Sequence, residues 1–382
     1  MSKCLSCTRK TQKVLSMMRI CTLCCMIMVV SLPAASAESP FHPTLEKKVA
    51  APKIIHLDST ITGKGLHWTI RDIEEITAGP SRGKLLVATW GMGLFLMKEA
   101  PEGHFHMTRL EVSTEIPEGR INEIFQTPDG IWLGTFRGIF KLNPMTLKLM
   151  PEPKPQMAPY PVHGIWTSQN GTIIAGTTGN GLLIKNPLLN EWITLGNEHN
   201  IHCNWINSIY GSPEKLLIGT LRGVYTLNIT ELSKTNPIPK ISFMGGAASV
   251  NPINCARPFN SDGELIGTSN SGLMHHSNNG KWRVLNIRRG LPSNEITDIE
   301  PSDKGSCLIA TRKGAVKINS EMKITDKWDG DSRLPDIWIK AVSNWGKRII
   351  AGTSEGMILE LLNSETSGGN WRVLFSPEKT IE

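Results

Sequence analysis

LLIGTLRGVY, residues Leu216 to Tyr225, decides the fold, because variants of it recur along the chain. They read LLVATWGMGLF from Leu85, IWLGTFRGIF from Ile131, IIAGTTGNGLL from Ile173, ELIGTSNSGLM from Glu264, CLIATRKGAV from Cys307 and IIAGTSEGMI from Ile349. The aligned threonines, Thr89, Thr135, Thr177, Thr220, Thr268, Thr311 and Thr353, are spaced by 46, 42, 43, 48, 43 and 42 residues. Short apolar runs and Gly-rich turns repeating every ~40–50 residues mark a β-propeller. One such repeat cannot bury both of its faces, whereas a closed ring of them can. The expected fold is all-β: a seven-bladed β-propeller of four-stranded antiparallel blades over residues 53–382.

Four strands are legible in each repeat. The innermost, strand a, carries two apolar residues three apart: Ile73–Ile76, Ile121–Ile124, Val162–Ile165, Ile206–Ile209, Ile253–Ala256, Ile296–Ile299 and Ile339–Val342. Turns such as Thr127-Pro-Asp-Gly130 follow, made of residues that favour chain reversal. Strand b is the quoted run, apolar throughout because both faces pack on neighbouring blades. Its Gly or Ala lets adjacent sheets approach where the wedge narrows. A Gly turn leads into strand c (Ile139–Leu142, Val224–Leu227, Ala315–Ile318), and Trp192, Trp282 and Trp371 mark the outer strand d. Lys53–Leu57 is a candidate for an outer edge or for ring closure.

The N-terminal segment reads as a leader. Residues 1–37 hold Lys3, Arg9, Lys10, Lys13 and Arg19, no acidic residue, an apolar run from Ile20 to Leu32 and the small-residue site Ala35-Ser36-Ala37. These are the parts of a secretory signal peptide, predicting a mature N-terminus at Glu38. Met17 or Met18 would start a signal of more ordinary length. An uncleaved anchor is the rival, but the apolar run is shorter than the ~20 residues a bilayer needs. Residues 38–52, with three prolines and no periodicity, read as a flexible tether. The expected location is periplasmic or secreted, with no transmembrane segment after cleavage.

Charge and cysteine usage follow the leader. The chain has 41 basic and 34 acidic residues, and five of the basic ones belong to the leader. The mature chain is near neutral, so its charge gives no reason to expect nucleic acid as a partner. Five of the eight cysteines also lie in the leader. Cys203, Cys255 and Cys307 remain. An oxidising compartment permits one disulfide, for which Cys203 and Cys255 are the candidate pair, and buried free thiols are the alternative.

Gly290-Leu-Pro-Ser-Asn-Glu-Ile-Thr-Asp-Ile299 and Asp129-Gly-Ile-Trp-Leu-Gly-Thr-Phe-Arg-Gly138 resemble the two-component regulator propeller repeat. The resemblance runs from about Thr69 onward, strongest in blades two and six and degenerate in blades three to five. It implies a periplasmic sensor propeller of the kind found in hybrid histidine kinases. No kinase region follows blade seven before Glu382, so the expectation is that any sensed signal passes to a partner.

In propellers the d–a and b–c loops share one mouth of the ring. Here they carry Arg120, Arg137, Arg222, Arg312 and Lys313, with Arg289 and Arg333, opposed by Glu118, Glu295, Asp336 and Glu355. Trp90 and Trp205 are expected on the same rim. Guanidinium forks match carboxylate, phosphate or sulfate, so an acidic or hydroxyl-rich ligand such as a glycan or peptide, or an envelope protein, is the expected partner. Ordinary solvated loop charge is the other reading. Glu74, Asn122, His163, Asn207, Asn254, Thr297 and Lys340 share one register on strand a and are expected along the channel wall. They serve either a ligand or the polarity of a water-filled channel.

The alternative class is a propeller lyase or hydrolase of the streptogramin-lyase type. Likeness to that type implies His and Glu gathered at the mouth around magnesium. Here His163 and Glu74 fall in non-adjacent blades. His104-Phe-His106 and His275-His276 are nominal metal sites, and His104 and His106 share one face of an outer strand with no acidic or third His partner expected nearby. No catalytic residue, metal site or cofactor is therefore expected.

Overall fold

The computed structural model describes residues 68–150, 160–189, 191–302, 305–330, 334, 336–362 and 371–377. The leader 1–37, the tether 38–52, the closing candidate 53–57 and Arg333 lie outside the described residues. Among the described residues, 28 strands form seven sheets of four, each sheet built from strands consecutive in sequence. Blade one runs through Ile70–Glu75, Leu85–Thr89, Leu94–Glu99 and Phe105–Arg109. Blade seven runs through Ile339–Trp345, Arg348–Thr353, Ile358–Leu361 and Trp371–Phe375. The inner strands between them begin at Ile121, Val162, Ile206, Ile253 and Ile296. The fold is the expected seven-bladed propeller.

The repeated phrase has a physical reason at each position. Strand b is wholly buried in blades one, two, three, five and six. Its glycine makes room for the residue that opens strand a of the next blade. A Cβ on Gly219 would lie 2.9 Å from Ile253 Cγ2, and one on Gly267 would lie 2.7 Å from Ile296 Cγ2. All seven aligned threonines are fully buried. Each accepts a hydrogen bond from a backbone N–H of the b–c turn, as from Met92, Arg137, Asn180, Arg222, Ser271, Lys313 and Met357. In blades one to six the hydroxyl also donates to the turn's Gly carbonyl.

One strand differs in frame from its reading in the sequence. Ile70 pairs with Thr89, as Ile121 pairs with Thr135 and Ile206 with Thr220. The apolar pair of blade one is therefore Ile70–Ile73 rather than Ile73–Ile76. The ring closes by packing between blades seven and one. Ile70, Val87, Phe95, Ala341, Ile358 and Phe375 share one core cluster across that junction. Trp345 Nε1 donates to Gly83 O at 2.7 Å, and Thr69 Oγ1 to Ser354 O at 2.8 Å.

Candidate functional site: the basic mouth and its channel

Each inner strand carries one extra residue near its start. In blade one Ile70 pairs with Thr89 and Asp72 with Ala88, which leaves Arg71 unpaired between them. The same irregularity isolates Asn122, His163, Asn207, Asn254, Thr297 and Lys340. A bulge of this kind re-aims the extra side chain. Repeated around the ring, it sets one polar side chain per blade where the channel meets the mouth. The blade-one member is Arg71, not Glu74, which lies three residues further along the strand at a deeper level.

Four of these side chains stitch neighbouring blades together. Asn122 Nδ2 donates to Val162 O at 2.8 Å and Asn207 Nδ2 to Ile253 O at 2.8 Å. Asn254 Nδ2 donates to Ile296 O and Thr297 Oγ1 to Ile339 O, both at 2.6 Å. Each acceptor is the carbonyl just ahead of the next blade's bulge. Asn122, Asn207, Asn254 and Thr297 therefore owe their polarity to the scaffold.

The girdle breaks at Arg71, His163 and Lys340, for which no such bond is found among the described residues. Arg71 Nε is buried without a hydrogen-bond partner. Burial pulls the Arg71 guanidinium below its usual range against the pull of Asp72 and Glu123. Burial, then the nearby Arg71 charge, holds His163 down to about 3, so its imidazole is neutral. Burial, with repulsion from Arg71 and Arg312, lowers Lys340 to about 8 despite Glu295. These groups are pressed together at a cost that an incoming anion would relieve.

Aromatic rings wall the basic groups. Arg71 and Arg120 lie 5.6 and 5.1 Å from the Trp90 ring centre, and Arg120 is 5.0 Å from that of Phe136. On the neighbouring blades six and seven, Arg312 and Lys340 sit 4.6 and 4.4 Å from the Trp338 ring centre. The rim is partly neutralised: Glu118 pairs with Arg120 at 2.8 Å and Arg137 at 3.2 Å, and Glu295 with Arg312 at 3.3 Å. Arg222 and Lys313 are exposed and have no ion pair among the described residues. Trp205 bridges to Thr178 on blade four's side of the mouth, away from both aromatic clusters. Arg289 turns aside to donate to Val284 O at 2.9 Å.

Several other sequence candidates find structural partners. Cys203, Cys255 and Cys307 are free thiols, so the Cys203–Cys255 pairing is not made. Cys203 lies in the loop ahead of blade four's inner strand, its Sγ donating to Trp205 O at 3.6 Å. Cys255 lies below the bulge of blade five, in the core cluster it shares with Ile296 of blade six. His275 is fully buried and bonded to Asp262 O at 2.6 Å, and His276 meets Glu264 at 3.2 Å. Among the described residues no three His, Cys, Asp or Glu side chains converge as metal ligands. Nor is any helix there long and apolar enough to cross a membrane.

No family model matches the sequence, and no curated relative does. Solved structures do match in shape. The extracellular domain of BT4673, from a B. thetaiotaomicron hybrid two-component system, is 17% identical with a TM-score of 0.61. That match covers 79% of this chain and 39% of the other. The corresponding domain of BT3049 is 17% identical with a TM-score of 0.59, covering 78% of this chain and 40% of the other. Virginiamycin B lyase from Staphylococcus aureus is 12% identical with a TM-score of 0.56, covering 78% of this chain and 96% of the other. The chain thus spans about two fifths of the length of the two-component domains it matches. In fold it is a seven-bladed propeller similar to the extracellular domains of hybrid two-component system proteins.

Proposed function

We propose that the protein is an exported binding module of the cell envelope that receives an acidic group at its basic mouth. The observation that carries this reading is the break in the girdle. Where blades two, four, five and six use Asn or Thr to bind the next blade, blades one and seven place Arg71 and Lys340 against aromatic walls. A carboxylate, sulfate or phosphate docked there would exchange cation–cation repulsion for charge-assisted hydrogen bonds. Arg137, Arg222, Arg312 and Lys313 would guide it in, and Trp90 and Trp205 would offer flat apolar surface. The extracellular setting of the matched two-component domains supports a place outside the cytoplasm, and the leader agrees with it. Among the described residues no carboxylate at the mouth pairs with His163, which favours binding over lyase chemistry.

The test is calorimetric titration of the mature protein with a carboxylated and a sulfated oligosaccharide at low and high salt. Replacing Arg137, Arg222 and Arg312 together by Ala should weaken binding about tenfold and flatten its salt dependence, since exposed pairs contribute ~0.2–1 kcal/mol each. Lys340→Met should weaken it further, and Trp205→Ala should cost affinity without changing the salt slope. The melting temperature of the triple variant should barely move. Equal affinity for wild type and both Arg and Lys variants would reduce the mouth to solvated surface.

A further inference from the structure

Below the basic collar the channel reverses its charge. The residues after the bulge include Asp72, Glu123 and Asp298, and two residues further on stand Glu74, Arg257 and Glu300. Five carboxylates thus share the inner strands with the one guanidinium of Arg257 at these two levels. Three of the acids are accounted for by the scaffold. Asp72 accepts from Ile73 N at 2.9 Å and Ile124 N at 2.7 Å. Asp298 accepts from Ile299 N at 2.8 Å and Val342 N at 3.0 Å, and meets Arg257 at 3.6 Å. Glu300 accepts from Asn344 N at 3.3 Å.

Glu74 and Glu123 are different. Neither has a hydrogen bond or ion pair among the described residues, and both are half-buried along the channel wall. Burial, then repulsion from Asp72, holds both carboxyls well above the ordinary carboxylate range. Glu123 on blade two also feels Arg257 on blade five and Asp298 on blade six, so these side chains converge across the ring. The lumen between them admits water, since Arg257 and Asp298 keep 22% and 18% of their side-chain surface accessible.

We propose that this acidic half of the channel binds a small organic cation carrying primary ammonium groups on a flexible chain, with Glu74 and Glu123 as its principal contacts. A metal ion fits poorly, because no three acidic, His or Cys side chains in the described residues converge on one point. The acids are instead spread over two levels, about 7 Å apart along a strand, a step that an alkyl diamine spans. Arg71, His163 and Lys340 bar cations from the mouth, so access is from the opposite, a–b end of the ring. In the empty site burial and repulsion from Asp72 favour the protonated form of these carboxyls. Each ammonium that binds takes the place of a proton, which leaves for solvent.

This site is independent of the anion-binding mouth. The experiment is calorimetric titration of the mature protein with spermidine, putrescine and magnesium chloride at matched ionic strength, in two buffers of different ionisation enthalpy. Spermidine should bind saturably, more tightly than putrescine, with an apparent enthalpy that depends on the buffer because protons are released. The double variant Glu74→Gln/Glu123→Gln should lose at least tenfold in spermidine affinity and lose the buffer dependence, and Lys240→Ala, on the exposed outer strand of blade four, should change neither. The single variants, with circular dichroism to show that they fold, provide the same test if the double variant does not. Spermidine heats no different from those of magnesium, displacement of spermidine by magnesium, or wild-type affinity in folded Gln variants would each overturn the proposal.

Discussion

At Thr220 a single hydroxyl serves both arms of the b–c turn. It accepts from Arg222 N and donates to Gly223 O, both at 2.9 Å, in a fully buried position. Without it the turn's Arg222 N and Gly223 O would each lose this partner. Valine has threonine's shape and none of its hydrogen bonds. Thr220→Val should therefore destabilise the fold by about 1–3 kcal/mol, with Thr220→Ser nearer wild type, as read from urea denaturation midpoints. A midpoint unchanged in Thr220→Val would mean that the turn satisfies itself in another way. The same hydroxyl aligns Arg222 with the mouth, so the residue that defines the repeat also fixes the base of a candidate ligand contact.

Between elements, the strand-b glycine sets how closely two blades approach. At Gly267 a Cβ would lie 2.6 Å from Cys255 Sγ and 2.7 Å from Ile296 Cγ2, one contact within its own blade and one in the next. Gly267→Val should cost about 1–3 kcal/mol through overpacking, and combining it with Ile296→Ala, which removes the Cγ2 methyl that the new side chain meets, should cost less than the sum of the two single losses. Additive losses in thermal melts would place the strain elsewhere. The blades were legible in the sequence because this phrase recurs with its turn. The bulge was not. Ile70-Arg-Asp-Ile73-Glu-Glu-Ile76 offers two frames with the same apolar spacing, and only the pairing of Ile70 with Thr89 chooses between them. Glu74 was read in place of Arg71 for that reason, and the strongest cation of the collar was missed. Trp338 and Phe136 were missed because their role depends on Lys340 and Arg120 reaching over them. The rim arginines were visible, while their pairing with Glu118 and Glu295 depends on how the d–a loops fold back.

Over the whole molecule, charge is sorted along the channel axis. Burial raises Asp72 and Glu300 to about 7, and raises Glu74 and Glu123 well above the ordinary range. The folded state therefore binds more protons than the unfolded chain from about pH 4 upward. These acids make stability fall as pH rises through about 7. His163, lowered from 6.5 to about 3, acts in the opposite sense between those values. Four acids outweigh one base, so the melting temperature should be higher near pH ~5.5 than near pH ~8. Glu300→Gln should flatten that slope while keeping an oxygen for Asn344. A melting temperature that climbs steadily over the same range would show that the channel acids ionise freely in the folded state.

Among the described residues the ring closes by packing and a few loop and side-chain hydrogen bonds rather than by a shared sheet, and this has a topological consequence. Trp68, where the described chain begins, packs its ring 5.6 Å from that of Phe375, near where it ends. Among the described residues every sheet is a run of consecutive strands, and none straddles the junction between blades seven and one. The order in which the blades are written is thus separable from the way they stack. A circular permutant that joins these two ends with a short linker, and opens in the d–a loop between any other two blades, keeps all seven sheets intact and makes the present junction an ordinary internal one.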